Sequence, residues 1–126
     1  MKVTKVPDSL GGYIHRYAKD GRFFMPISRH YYIVNNKEIV VPAYFKTDLA
    51  SVPRIFWLFI SPIGKHSTAA MMHDYIYSKE CELNIHRKEA DMMFYYVMRH
   101  CHVHKFTATL MYCCVRLFGA SKWKKN

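Results

Sequence analysis

Acidic residues are scarce in this chain. Nine Asp and Glu stand against 19 Lys and Arg, a formal net charge of +10 over 126 residues. Such a shortage of negative charge points to partners bearing phosphate or other anionic groups, such as nucleic acid, anionic lipid or teichoic-type polymers. The cations are mostly dispersed, however, and a small protein can be basic simply to stay dispersed in water. Only the end, "SKWKKN", is compactly basic, and it reads as a solvated tail. Long apolar runs are also missing. Stretches such as "IFWLFI" fall far short of the ~20 residues that a membrane-spanning helix needs. The opening "MKVTKVPDSLGG" lacks the apolar segment of a secretion signal, so the expectation is a protein made in the cytoplasm with reduced thiols. Cysteines at 81, 101, 113 and 114 never take CxxC spacing, and adjacent Cys113 and Cys114 diverge on a helix, which argues against zinc.

What is present is apolar and aromatic: 51% hydrophobic residues and 16% Phe, Trp and Tyr, with no repeat or low-complexity segment. That composition excludes disorder over most of the length and suits one domain with a real core. The first part, 1–47, is β-rich. "RFFMPI", "HYYIV" and "EIVVPAYF" carry the β-branched and aromatic residues of short strands. The Asn-rich "VNNKE" predicts a hairpin between the second and third. Pro26 and Pro42 push their strands toward edges or bends. Residues 48–64 read as an irregular loop punctuated by Pro53, Pro62 and Gly64. Residues 65–119 read as helical, with helices over about 66–78, 87–101 and 105–118, the last stopped at Gly119. A basic tail, 120–126, follows. Strands first and helices second predict an α+β domain with a small N-terminal antiparallel sheet and three C-terminal helices.

Two stretches concentrate polar groups where the pattern is otherwise apolar. In "AMMHDYIY", His66, Ala70, His73 and Tyr77 share a helix face, with Asp74 at its rim. On the next helix, Arg87, Asp91, Phe94 and Met98 form a stripe, and a carboxylate within it requires a cation or a donor. The short connection makes the two helices antiparallel, so Asp91 can reach His73. A His oriented by a second-helix Asp, with Asp74 beside it, suits general-base chemistry. The same pair serves equally as a satisfied polar link between helices. Tyr77 and Arg87 are candidate binding groups at its edge. In "TDLASVPR", Asp48, Ser51 and Arg54 offer hydrogen-bonding side chains that either brace a loop or face a pocket. Asp48 with Asp74 could supply oxygens to a hard cation. Ser51 lacks the GxSxG setting of a nucleophile. His100, His102 and His104, in "RHCHVHKF", alternate too widely to meet on one metal and read as surface.

Taken in order, these stretches resemble a family of short phage and prophage proteins, domain-of-unknown-function family 1353. Its first block appears here as Pro42, Phe45, Thr47, Asp48 and Ala50 to Arg54. The second is Ala69, Ala70, His73, Asp74 and Tyr77, and the third is Arg87, Ala90, Asp91, Phe94 and Met98. The likeness covers about residues 40–119. It implies a phage or prophage origin and a protein made in the bacterial host, with incorporation in the virion as one outcome, but no activity. A more local similarity links the pair of helices to bacterial secreted phospholipases A₂. It implies that His73 activates water, Asp74 binds calcium and Asp91 orients His73, with Gly64 in a calcium loop. The sequence departs from that pattern in having no secretion signal, no recognisable disulfide pair and no fuller Gly-rich loop. Two expectations follow. One is a hydrolase-like site, helped by a divalent cation such as calcium, acting on anionic envelope polymer. The other is a non-catalytic virion or assembly component that binds phage structural proteins, its His–Asp network being structural. Nucleic acid is a weaker third partner, supported by charge alone.

Overall fold

The computed structural model describes residues 2–6, 13–18, 21–26, 29–43, 45, 67–120 and 123; for 13–18, 21–26 and 67 it describes the backbone only. Five strands precede three helices: β1 (Val3–Lys5), β2 (Tyr13–Ala18), β3 (Gly21–Pro26), β4 (His30–Val34), β5 (Lys37–Val41), α1 (Ser67–Tyr77), α2 (Arg87–His100) and α3 (Lys105–Phe118). This is the α+β arrangement that the sequence pattern predicts.

The expected hairpin is β4–β5, with Tyr32 opposite Ile39 and Val34 opposite Lys37. Its turn residues Asn35 and Asn36 have φ of 53° and 62°. A two-residue hairpin turn with positive φ at both positions matches the twist of the strands, and asparagine tolerates that conformation better than most residues. Pro42, which has no N–H to offer a ladder, directly follows the last paired residue of β5. Two strands go beyond the sequence reading. β1 pairs antiparallel with β4 to give the order β1-β4-β5, and β2 pairs with β3 in a separate two-stranded ribbon.

Alternation along β4 and β5 buries His30, Tyr32, Val34, Ile39 and Val41 on one face. That face joins α1 and α2 in a single core, in which Met71, Met72, Ile76, Met93, Phe94 and Met98 are fully enclosed. α1 is covered nearly all round, with Asp74 and Tyr75 half-exposed between 68 and 78. This central position explains why "STAAMMHDYIY" is so apolar: a helix packed on several sides needs no broad polar face. Tyr32 Oη donates to the Thr68 carbonyl at 2.7 Å, tying the sheet to the start of α1. Lys37 Nζ donates to Glu89 Oε1 at 2.9 Å, tying the hairpin to α2. α3 covers α2 with Ala108, Met111, Cys114 and Val115.

The third helix ends at Gly119, as expected, but for a different reason. Its φ is −81°, an ordinary right-handed value. A Cβ there would lie 2.4 Å from the Val115 carbonyl oxygen and 2.8 Å from Tyr77 Oη. Close approach, not backbone freedom, requires glycine. Of the tail expected to be solvated, residues 121, 122 and 124–126 lie outside the described residues. The half-buried Trp123 ring meets Tyr77 edge-on at 4.9 Å. No disulfide joins the four cysteines, and Cys113 is exposed while its neighbour Cys114 is buried. Among the described residues, no helix is long and apolar enough to cross a membrane.

Candidate functional site

The three helices converge on one carboxylate. Residues 73 and 77 stand one turn apart on α1, and 87, 91 and 94 share a face of α2. Packing α1 on α2 brings His73 Nε2 to 2.7 Å from Asp91 Oδ1, the contact that the two apolar stripes anticipate. Tyr77 Oη donates to the same oxygen at 2.6 Å. The other carboxylate oxygen accepts from Arg116 Nη1 at 2.8 Å, with Arg87 Nη1 at 3.7 Å. The side chains of His73 and Asp91 are 1% and 0% exposed. No buried side-chain N or O among the described residues lacks a hydrogen-bond partner.

The electrostatics follow from these contacts. Burial by itself would raise the Asp91 carboxyl, but the donors on His73, Tyr77 and Arg116 outweigh it and hold the group below its ordinary value. Asp91 is therefore a carboxylate with acceptor lone pairs only, so the proton shared with His73 belongs to Nε2. Burial, reinforced by the hydrogen bond to Asp91, pushes the Tyr77 phenol up and keeps it a donor, despite the opposing pull of Arg87. The hydrogen bond to Asp91 raises Arg116 in turn. A carboxylate that accepts from Nε2–H fixes the orientation of the His73 ring, as the orienting carboxylate of a general base does.

Packing fixes the ring as firmly as the hydrogen bond does. The imidazole lies between Tyr77 and Phe94, at centroid distances of 4.3 and 4.6 Å. Arg87 does more than attend Asp91. It donates to the Val115 carbonyl at 3.1 Å and the Arg116 carbonyl at 3.4 Å, satisfying the open end of α3. The two arginines thus join α2 to α3 from opposite directions.

Arg116 is the site residue that sequence reasoning missed. A basic residue in the last turn of a helix is ordinarily explained by the helix end itself. The one available signal was a single guanidinium in the apolar "TLMYCCVRLF". Trp123 and Gly119, which back Tyr77, were equally invisible as site components. Asp74 is half-buried on α1, next to His73 in sequence and outside the set of groups on Asp91. Asp48, Ser51, Arg54, Gly64 and His66 lie outside the described residues. Among the described residues no group of three or more His, Cys, Asp or Glu is placed to hold a metal ion. His100, His102 and His104 are exposed, and His104 caps α3 by accepting from the Phe106 N–H at 3.1 Å.

Residues 27–115 match the family described as "Protein of unknown function (DUF1353)". The chain belongs to that family. The match includes β4, β5, all of α1 and α2, and most of α3, so His73, Asp74, Tyr77, Arg87 and Asp91 all fall within the family's extent. Arg116, Gly119 and Trp123 lie just beyond it. No curated protein and no solved structure matches the chain.

Proposed function

We propose that this family member carries a hydrolase-type site in which His73 is the general base and Asp91 orients it, acting on envelope material in the phage setting that its motifs imply. The observation that supports this reading is the 2.7 Å bond from His73 to a carboxylate kept ionised by Tyr77 and Arg116. In the proposed step, the His73 imidazole takes a proton from water as the water oxygen attacks a carbonyl or phosphoryl centre, Asp91 stabilises the resulting imidazolium, and the imidazolium returns the proton to the leaving oxygen as its bond to that centre breaks. Asp74, adjacent and partly exposed, would position the water or substrate, with Asp48, Ser51 and Arg54 as further binding groups. Calcium demands six to eight oxygen ligands. Of the candidate oxygen ligands, Asp74 is described and Asp48 lies outside the described residues; a divalent cation held by them would polarise the substrate beside His73.

A second reading rests on burial: His73 is 1% exposed. A base needs water, whereas a structural link does not, so the enclosed network favours a non-catalytic virion or assembly component whose helices it locks.

Two variants separate the readings. His73→Asn removes the base, and Tyr77→Phe removes a donor to Asp91 while keeping the base. Purified protein is incubated with isolated bacterial envelopes, and released fatty acid, phosphate and reducing sugar are followed. The hydrolase reading expects release by the wild type, a fall of about 10²-fold or more in folded His73→Asn, and a far smaller fall in Tyr77→Phe. No release by the wild type, with both variants losing stability alike in urea, selects the structural reading.

A further inference from the structure

Lysine, tyrosine and arginine recur at one spacing on two helices: Lys88, Tyr95 and Arg99 on α2, and Lys105, Tyr112 and Arg116 on α3. Steps of seven and four return to the same side of a helix, so each set lines one face. Asp91 meets Arg116, Tyr95 meets Tyr112 and Arg99 meets Val103, so the helices run antiparallel and the two faces adjoin. Their tyrosines touch in the middle, with ring centroids 6.0 Å apart. Tyr96 stacks on Tyr95 at 5.2 Å and an interplanar angle of 16°. The antiparallel pairing then sets one lysine and one arginine at each end of this aromatic centre. Arg99 donates to the Val103 carbonyl at 2.9 Å, which holds it beside the start of α3 and Lys105. Arg116 meets Asp91 at 2.8 Å, one turn of α2 from Lys88.

This surface faces water. Lys88, Arg99 and Lys105 are exposed, Tyr96 is 39% exposed, and Tyr95, Tyr112 and Arg116 are half-buried. It also lacks opposing charge. The acids of α2 are Glu89, paired with Lys37 at 2.9 Å, and the fully buried Asp91, while α3 has none. Among the described residues, Lys88, Arg99 and Lys105 pair with no acid. Cations set at both ends of a group of rings suit a polymer that carries phosphates along its backbone and flat faces between them. An anionic polymer without bases would leave the tyrosines unused. In a duplex the bases stack on one another, whereas in a single strand their faces are open to aromatic side chains.

We propose that this face of α2 and α3 binds single-stranded nucleic acid, its bases continuing the stack that Tyr95 and Tyr96 begin and its phosphates meeting the lysine and arginine at each end. The sequence offers charge alone for such a partner, and the fold adds ring faces set between the charges. Stacking accepts any base, so binding is tolerant of sequence. The inference stands apart from the hydrolase reading, because neither His73 nor Asp91 touches the strand.

Fluorescence anisotropy of the full chain with a labelled oligothymidylate of about 20 nucleotides tests it. The single strand should bind at least about fivefold more tightly than a duplex of the same length. Tyr96→Leu removes an exposed ring and should weaken the single strand by about fivefold or more, with circular dichroism unchanged. Lys88→Gln combined with Lys105→Gln spares the rings and Arg116. It should weaken binding and lower the slope of log Kd against log salt by about 1.4, as the loss of two phosphate contacts requires. No binding of the oligonucleotide at low salt overturns the proposal, as does a salt slope indifferent to the glutamine pair. Equal affinity for the duplex, or an affinity unaltered by Tyr96→Leu, shows a surface that reads charge alone and overturns it too. So does tighter binding to vesicles containing phosphatidylglycerol than to the single strand.

Discussion

Asp91 concentrates the strongest demands of any residue described here. A fully buried carboxylate is tolerable only because His73, Tyr77 and Arg116 hold its two oxygens. Asp91→Ala leaves His73 Nε2–H and the Tyr77 hydroxyl buried without an acceptor, while Arg116, on the rim, can turn to solvent. The expected cost is about 2–4 kcal/mol in urea denaturation. A loss well below that would mean that water replaces the carboxylate. The sign of the pH dependence follows from the lowered carboxyl. With the folded value below the ordinary 3.8, the unfolded chain takes up its proton first as acid is added. The stabilisation is therefore complete above the ordinary value and is lost as pH falls through the folded one. Asp91→Asn should flatten that acid limb below about pH 4, measured as the urea midpoint against pH.

At the scale of elements, the end of α3 is the tightest junction. Gly119 sits where the Val115 carbonyl and Tyr77 Oη leave no room for a methyl group. Its backbone angles would suit alanine, and helix propensity would favour it. Gly119→Ala should nevertheless destabilise by about 1–3 kcal/mol, as overpacking does, and should displace Tyr77 from Asp91. Tyrosine and Trp123 near-ultraviolet circular dichroism reports that displacement, because the two rings meet edge-on. A stability gain on substitution would show that the helix end relaxes freely.

Among the described residues, Tyr32 and Lys37 carry polar links from the sheet to the helices, beside an extensive apolar core. Tyr32 is fully buried and its hydroxyl spans from β4 to the Thr68 carbonyl on α1. Tyr32→Phe keeps the ring and removes that one bond, so the free energy of unfolding should fall by about 1 kcal/mol. The urea m-value should be unchanged if sheet and helices unfold together. A split transition would show instead that the β part and the helical part are separate cooperative units.

The hairpin, the three helices and their order were legible in the sequence because each depends on short-range chemistry. Alternation set β4 and β5, the paired asparagines set their turn, and three- and four-residue steps set the helices. The His73–Asp91 contact was legible too, because a carboxylate in an apolar stripe must find a donor and a short connection leaves few candidates. β1 was not: three residues acquire strand structure only by pairing with β4, some 30 positions away. The β2–β3 ribbon likewise becomes visible only in its register. Arg116 reaches Asp91 across 25 positions, Gly119 is constrained by a tyrosine on another helix, and Trp123 finds Tyr77 from the end of the chain. Periodicity tells which side of an element is apolar, but it does not tell which neighbour covers that side. Tertiary packing alone decided that Asp91 would be held by groups from all three helices.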